Sequence, residues 1–210
     1  YLAHHPRVVE HLRHEADEMN AAGQPAHFVP AGELAGEIGS DQYFGGLVLE
    51  RTGGLQPAAF HQGLEALADE AGAALHPHTA AEAAGRHRVA TTRGTVEAPD
   101  VILATNASAD AAPPPLRRRV LPVGSYIIAT EPLAPEVQAE VNPHRRMFVD
   151  SKNFLFYWRL TANGRMVFGG RRSLAPVSIT EARDFLYESL VRVHPQLAGV
   201  PVTHAWGGNV

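Results

Sequence analysis

No cysteine occurs in the 210 residues, which excludes disulfides, thiolate metal sites and any cysteinyl link to a cofactor within this span. No apolar run approaches the ~20 residues that a membrane-spanning helix requires. An excess of one charge is also missing. Lys and Arg number 18 and Asp and Glu 22, a net charge of −4 with histidine neutral. Nothing in that balance draws the chain to nucleic acid or to an acidic membrane. There is no G-x-G-x-x-G dinucleotide fingerprint, no phosphate-loop motif and no nucleophile-elbow serine. The opening Tyr1-Leu2-Ala3-His4-His5-Pro6 carries neither an initiator methionine nor a signal-peptide pattern, and the closing Trp206-Gly207-Gly208-Asn209-Val210 has no final helix. Both ends read as cut from a longer protein, expected to be cytoplasmic.

What is there is a globular composition, 45% hydrophobic and 19% charged, long enough for one domain or two interleaved lobes. The most informative stretch is Val101-Ile102-Leu103-Ala104-Thr105-Asn106-Ala107. An unbroken apolar run that stops at a polar pair predicts a strand buried on both faces. In open α/β sheets ligands bind just beyond the carboxyl ends of such strands, so Thr105 and Asn106 are expected at the mouth of a site.

Helical spacing over residues 7–20 (Val8, Val9, Leu12, Ala16, Met19) predicts a helix stopped by Gly23. Residues 26–30 read as extended, 32–38 as a short helix and 44–50 as a strand. Pro57 suits the first turn of a helix carrying Phe60, Leu64 and Leu67. Residues 73–76 then read as another strand, which gives the strand–helix–strand order of a parallel sheet with crossover helices. A hairpin is expected at 87–98 around Arg93-Gly94. Residues 111–115, closing on three prolines, form a stiff connector, and Arg117-Arg118-Arg119 is a basic cluster read as solvated or lobe-facing. The next part is strand-rich: 120–130, 147–150, and a hairpin of 154–160 with 166–170 around Asn163-Gly164. Ser178 with Glu181 matches a capping box opening a helix that ends before Pro195. Residues 200–206 read as the last strand.

Three strand ends carry chemistry-bearing residues: Thr105-Asn106-Ala107, Gly169-Gly170-Arg171-Arg172 and Trp206-Gly207-Gly208. Glycine there lets backbone or a planar ligand approach closely. Arg171 is placed to fork onto a carboxylate, the alternative being a bulge with an outward arginine. Tyr126 and Tyr157 supply aromatic walls, the alternative being core, to which aromatic strand residues more often belong. Two histidine pairs, His11 with His14 and His76 with His78, are weak metal signals with no third ligand at a telling spacing. Pattern alone reaches a two-lobed α/β protein with a site between lobes.

A resemblance carries further. Thr52-Gly53-Gly54-Leu55-Gln56-Pro57, then 92–107 ending in Thr105-Asn106-Ala107, then 122–133, Tyr157-Trp158-Arg159, Phe168-Gly169-Gly170-Arg171 and Trp206-Gly207-Gly208 occur in this order. The series resembles the FAD-dependent D-amino-acid oxidase, glycine oxidase and sarcosine oxidase superfamily, nearest to its γ-glutamylputrescine oxidase type. The resemblance implies an α/β (α+β) fold: an incomplete FAD/NAD(P)-binding-type flavin lobe interleaved with an antiparallel-sheet substrate lobe. Residues 1–52 and 111–199 fall to the substrate lobe, 53–110 and 200–210 to the flavin lobe. The segment 79–85 is shorter than the family's adenine-contacting stretch. The resemblance further implies FAD as cofactor and a small-molecule amine or amino acid as substrate, with O2 or another electron acceptor, no nucleic acid and no membrane span. Tyr126, Tyr157 and Arg171 are expected to bind substrate in one cavity; Thr105, Asn106, Ala107 and Gly207 are expected beside the flavin. A flavin dehydrogenase acting on a C–O bond, such as that of glycerol phosphate, and a non-catalytic binding module are the alternatives.

Overall fold

The computed structural model describes residues 1–110, 112–121, 123–171 and 177–210; Ala111 of the connector, Pro122 and Arg172 lie outside them. The chain divides into two compact units, Tyr1–Gly53 with Gly124–Gly208, and Gly54–Val123 with Asn209–Val210.

In chain order the first unit holds a 3-10 turn (Pro6–Val8), α1 (Val9–Ala21), β1 (Ala26–Pro30), α2 (Leu34–Ile38) and β2 (Gly45–Leu49). The second holds α3 (Pro57–Glu70), β3 (Ala81–Ala84), β4 (Arg88–Thr91), β5 (Gly94–Glu97) and α4 (Pro114–Arg117). The first unit then resumes with β6 (Gly124–Pro132), α5 (Pro135–Val141), β7 (Met147–Val149), β8 (Phe156–Leu160), β9 (Arg165–Gly170), α6 (Ile179–Val193) and β10 (Val202–Asn209). β10 is hydrogen-bonded beside β6 at the edge of a sheet ordered β10-β6-β9-β8-β7. The last strand, up to Gly208, is therefore paired within the first unit.

That five-stranded sheet is the frame of the first unit. Alternation along its strands puts Tyr126, Ile128, Phe156, Trp158, Leu160, Met166 and Phe168 on one face, all buried. They pack in one cluster with Ala182, Leu186, Leu190 and Val193 of α6, each large side chain contributing roughly 1.5–3 kcal/mol by leaving water. α6 starts where the sequence predicts. Ser178 Oγ accepts from the Glu181 N–H at 3.2 Å and the Glu181 carboxylate accepts from the Ser178 N–H at 3.0 Å, so two amides left open by helix geometry are satisfied. The β8–β9 hairpin closes at Gly164, whose φ of +78° is the left-handed conformation that glycine adopts without penalty. A smaller cluster joins Leu12 and Ala16 of α1 to Ala26 and Leu47 of the antiparallel β1–β2 pair.

The second unit departs from expectation in three places. Its strands form an antiparallel sheet ordered β3-β4-β5, not a parallel one. Residues 73–76 are not a strand, and Leu75 is exposed; the strand falls instead at β3, within the segment 79–85. Residues 101–107 form no strand either, and Ile102 is 89% exposed. The reason is common to both. A strand exists only where a neighbour pairs its N–H and C=O groups, and no described strand lies beside these runs. Phe60, Leu64 and Leu67 of α3 are likewise exposed, so the helix is amphipathic in sequence with its apolar side uncovered. α5 was not legible: its seven residues are too few for a periodicity, although Pro135 at its first turn is a start signal.

Candidate functional site

The face of the five-stranded sheet turned away from α6 carries the polar and aromatic residues. Tyr157 on β8 stands opposite Gly169 on β9, and Gly169 opposite Ile127 on β6. Instead of standing up from the sheet, the Tyr157 ring lies down across β9. A Cβ at Gly169 would sit 2.3, 2.4 and 2.7 Å from its Cε2, Cζ and Oη. The phenol thereby reaches Ser125 at the start of β6, with Oη 3.2 Å from Ser125 Oγ. Arg171 follows directly on the end of β9 and is partly buried.

Tyr126 faces the other way. It pairs with Gly170 in the row containing Phe156, is 8% exposed, and its hydroxyl donates to the Val177 carbonyl and accepts from the Val177 N–H, both at 2.9 Å. Tyr126 and Tyr157 do lie on strands of one antiparallel sheet, but the expectation that both line one cavity with Arg171 fails. Adjacent strands keep their residues in register, so positions paired with Gly170 and with Gly169 fall on opposite pleats. Tyr126 is a core residue.

The glycines at the strand ends are explained by this chain's own rings. Besides Tyr157 over Gly169, a Cβ at Gly170 would meet Phe156 Cδ1 at 2.5 Å, and one at Gly207 would meet Tyr126 Cδ1 at 2.4 Å. The close approach inferred from sequence is real, but what approaches is a side chain. Because Tyr126 lies across Gly207, the preceding Trp206 stands beside Ile127 on the Tyr157 face, and it is 45% exposed. Ser125 was missed in the sequence. A serine after a glycine at a strand start gives no signal until the pairing of β6, β9 and β8 is known.

In the second unit, Thr105-Asn106-Ala107 is a turn. The Ser108 N–H donates to the Thr105 carbonyl at 3.0 Å and Asn106 has a φ of +50°, which asparagine tolerates better than most residues. Thr105 and Asn106 are exposed and Ala107 partly so. The polar pair exists as expected, though it ends no buried strand. His78 (φ +56°) shares no strand with His76, His14 pairs with Glu18 at 3.3 Å, and no metal-holding group of three ligands occurs among the described residues.

Two buried polar arrangements in the first unit escaped the sequence reading. Asp150, fully buried, accepts from the Phe156 N–H at 2.9 Å, the Lys152 N–H at 3.3 Å and the Tyr43 hydroxyl at 3.3 Å, and forms an ion pair with Lys152. Burial, and then the Asp150 charge, push the Tyr43 phenol well above its ordinary value. The Lys152 ammonium also lies 4.7 Å from the Phe156 ring centroid. His194, just past α6, is fully buried, and among the described residues neither ring nitrogen has a hydrogen-bond partner; the same holds for Nε1 of Trp158. The two rings meet edge to face at 5.9 Å. Burial lowers the His194 pKa from 6.5 to about 4, weakly opposed by the backbone of Gly39.

The chain as a whole matches known proteins in sequence and in fold. The family model described as FAD dependent oxidoreductase (DAO) matches residues 1–210: the chain belongs to that family, whose members depend on FAD. Among curated proteins it is 33% identical over 186 residues to a probable oxidoreductase OrdL of Haemophilus influenzae, covering 85% of this chain and 42% of the relative. It is 30% identical over 184 residues to the γ-glutamylputrescine oxidoreductase of Escherichia coli, covering 85% and 43%. The chain thus spans less than half the length of these relatives. Solved structures share the fold. One is an L-proline dehydrogenase from P. horikoshii (TM-score 0.79, 17% identity, 99% of this chain and 58% of that one). Another is a glycine oxidase from Geobacillus kaustophilus (0.76, 19%, 99% and 57%).

The N-termini of the three longest helices, α1, α3 and α6, do not fit the diphosphate part of FAD. Such a group is held by free amides at a helix N-terminus after a glycine-rich turn. At α3 the Gln56 side chain already accepts the Ala59 N–H at 2.7 Å, at α6 the amides are taken by Ser178 and Glu181, and α1 carries Glu10 in its first turn.

Proposed function

We propose that these residues supply the amine-recognising part of a longer FAD-dependent oxidoreductase that oxidises the C–N bond of an amine or amino acid. In this reading hydride passes from the carbon bearing nitrogen to the flavin, and O2 or another acceptor takes up the electrons. The observation that carries it is the open sheet face, where Tyr157 lies over Gly169 and shares a hydrogen bond with Ser125, beside a half-exposed Trp206. Polar hydroxyls fixed on a rigid sheet, next to aromatic surface, suit a small organic substrate. Family membership and the names of the relatives support the same class of reaction.

In this role Tyr157 and Arg171 contact substrate, while Tyr126 acts beneath the sheet by holding β6 against β10 and residue 177. Thr105, Asn106 and Ala107 present an exposed polar turn to the cofactor, and Gly207 seats Tyr126 near the end of β10. Membership of a longer chain is supported by the 42–43% coverage of the relatives and by the uncovered apolar side of α3.

The test is a substrate panel on the parent protein loaded with FAD: γ-glutamylputrescine, glycine, L-proline and glycerol 3-phosphate, followed by peroxide formation and dye reduction. Turnover of an amine and not of the polyol phosphate supports the proposal; the reverse refutes it. Arg171→Lys is expected to raise KM more than it lowers kcat, because it removes mainly ground-state anchoring.

A further inference from the structure

We propose that Ser125 is a positioning residue for Tyr157: Ser125 and the bare backbone of Gly169 together aim the phenol hydroxyl at substrate. The inference rests on the reading above that this sheet face meets an amine. A tyrosine in a strand ordinarily projects from its own pleat. Tyr157 instead crosses the neighbouring strand, and what permits this is the absence of a side chain at Gly169, where a Cβ would lie 2.3 Å from the ring and 2.7 Å from the hydroxyl. What holds the far end is Ser125 Oγ at 3.2 Å, contributed by β6, two strands away in the order β6-β9-β8. Three strands therefore fix one oxygen atom.

The hydroxyl pair also has a definite capacity. Two hydroxyl groups hold two protons, and their mutual bond uses one of them. One O–H is left to donate outward, so the pair suits an acceptor oxygen on the substrate. Neither Ser125 nor Tyr157 is buried, so this donor is accessible on the open face, in contrast to the Tyr126 hydroxyl, whose bonds to residue 177 occupy it. A purely structural Ser–Tyr contact would make the sheet more stable and leave substrate affinity alone; a positioning contact moves affinity.

The experiment uses the FAD-loaded parent and the amine that the panel shows to be turned over, with γ-glutamylputrescine as first probe. Ser125→Ala should raise KM about three- to tenfold, the range of one neutral hydrogen bond, and raise it more than it lowers kcat. Ser125→Thr, which keeps the hydroxyl, should restore KM. Tyr157→Phe should raise KM similarly, and adding Ser125→Ala to it should change KM no further, since the two act through one oxygen. Gly169→Ala should reproduce the KM rise with the melting temperature of each variant recorded alongside. An unchanged KM in a folded Ser125→Ala protein, or additive effects in the double variant, overturns the proposal while leaving amine oxidation intact. A parent that turns over no amine refutes the functional reading itself, and this inference with it.

Discussion

Acidification should destabilise this protein through His194. The imidazole is buried beside Trp158 with no hydrogen-bond partner among the described residues, and its folded-state pKa is lowered from 6.5 to about 4. The neutral ring is therefore the form the fold accepts. Above pH 6.5 both folded and unfolded chains hold it neutral and the stability is whole. As pH falls from 6.5 to 4 the unfolded chain binds a proton that the folded chain refuses, so stability is lost at up to about 1.4 kcal/mol per pH unit, reaching about 3 kcal/mol. Below pH 4 this group takes nothing further. The assay is urea unfolding followed by tryptophan fluorescence at several pH values between 7.5 and 4, on the wild type and on His194→Leu. The difference between the two isolates His194, because the histidine–carboxylate pairs, such as His27 with Glu50 at 3.2 Å, are present in both. A stability difference that stays constant from pH 7 to pH 5 would refute the reasoning and show that the ring finds a partner for its charge.

Other outcomes follow from single contacts. Asp150→Asn should lower stability by about 2–3 kcal/mol, seen as a lower melting temperature, since it leaves the Lys152 ammonium facing aromatic rings without its counter-charge. Gly207→Ala should cost about 1–3 kcal/mol by forcing Tyr126 off β10, where a Cβ would come within 2.4 Å of the ring; Gly208→Ala, with nothing within 4 Å, is the matched control. Residues 1–210 mixed with excess FAD and desalted should lose the flavin absorbance. The N-termini of the three longest helices, α1, α3 and α6, are capped or carry an acidic residue, and each missing charge-assisted hydrogen bond is worth roughly 1.5–3 kcal/mol. Stoichiometric yellow protein would contradict that.

The first unit was legible because its elements carry their own signals. Alternation named β8 and β9, Asn163-Gly164 named their turn, and Ser178 with Glu181 named the start of α6. The second unit was misread at residues 73–76 and 101–107 because an apolar run records that burial is wanted without recording what provides it. At the site, sequence singled out Tyr157 and the glycines, and only the structure shows the rings of this chain that lie where their Cβ atoms would stand. Tyr126 and Tyr157 look alike in a linear reading, and only the register that pairs one with Gly170 and the other with Gly169 separates a core tyrosine from a half-buried one on the other face. Asp150 and His194 were unreadable for a related reason: burial of a lone polar residue depends on long-range packing that no local pattern encodes.

The Tyr157 ring lying across β9 links two positions that are twelve residues apart into one heritable unit. A side chain at 169 is incompatible with a recumbent aromatic at 157, and a small residue at 157 would leave an empty trough over a glycine that no longer needs to be one. Among relatives the two positions should therefore change together, glycine at 169 wherever 157 is aromatic and free variation where it is not. Any attempt to widen the open face for a bulkier substrate must move both residues at once.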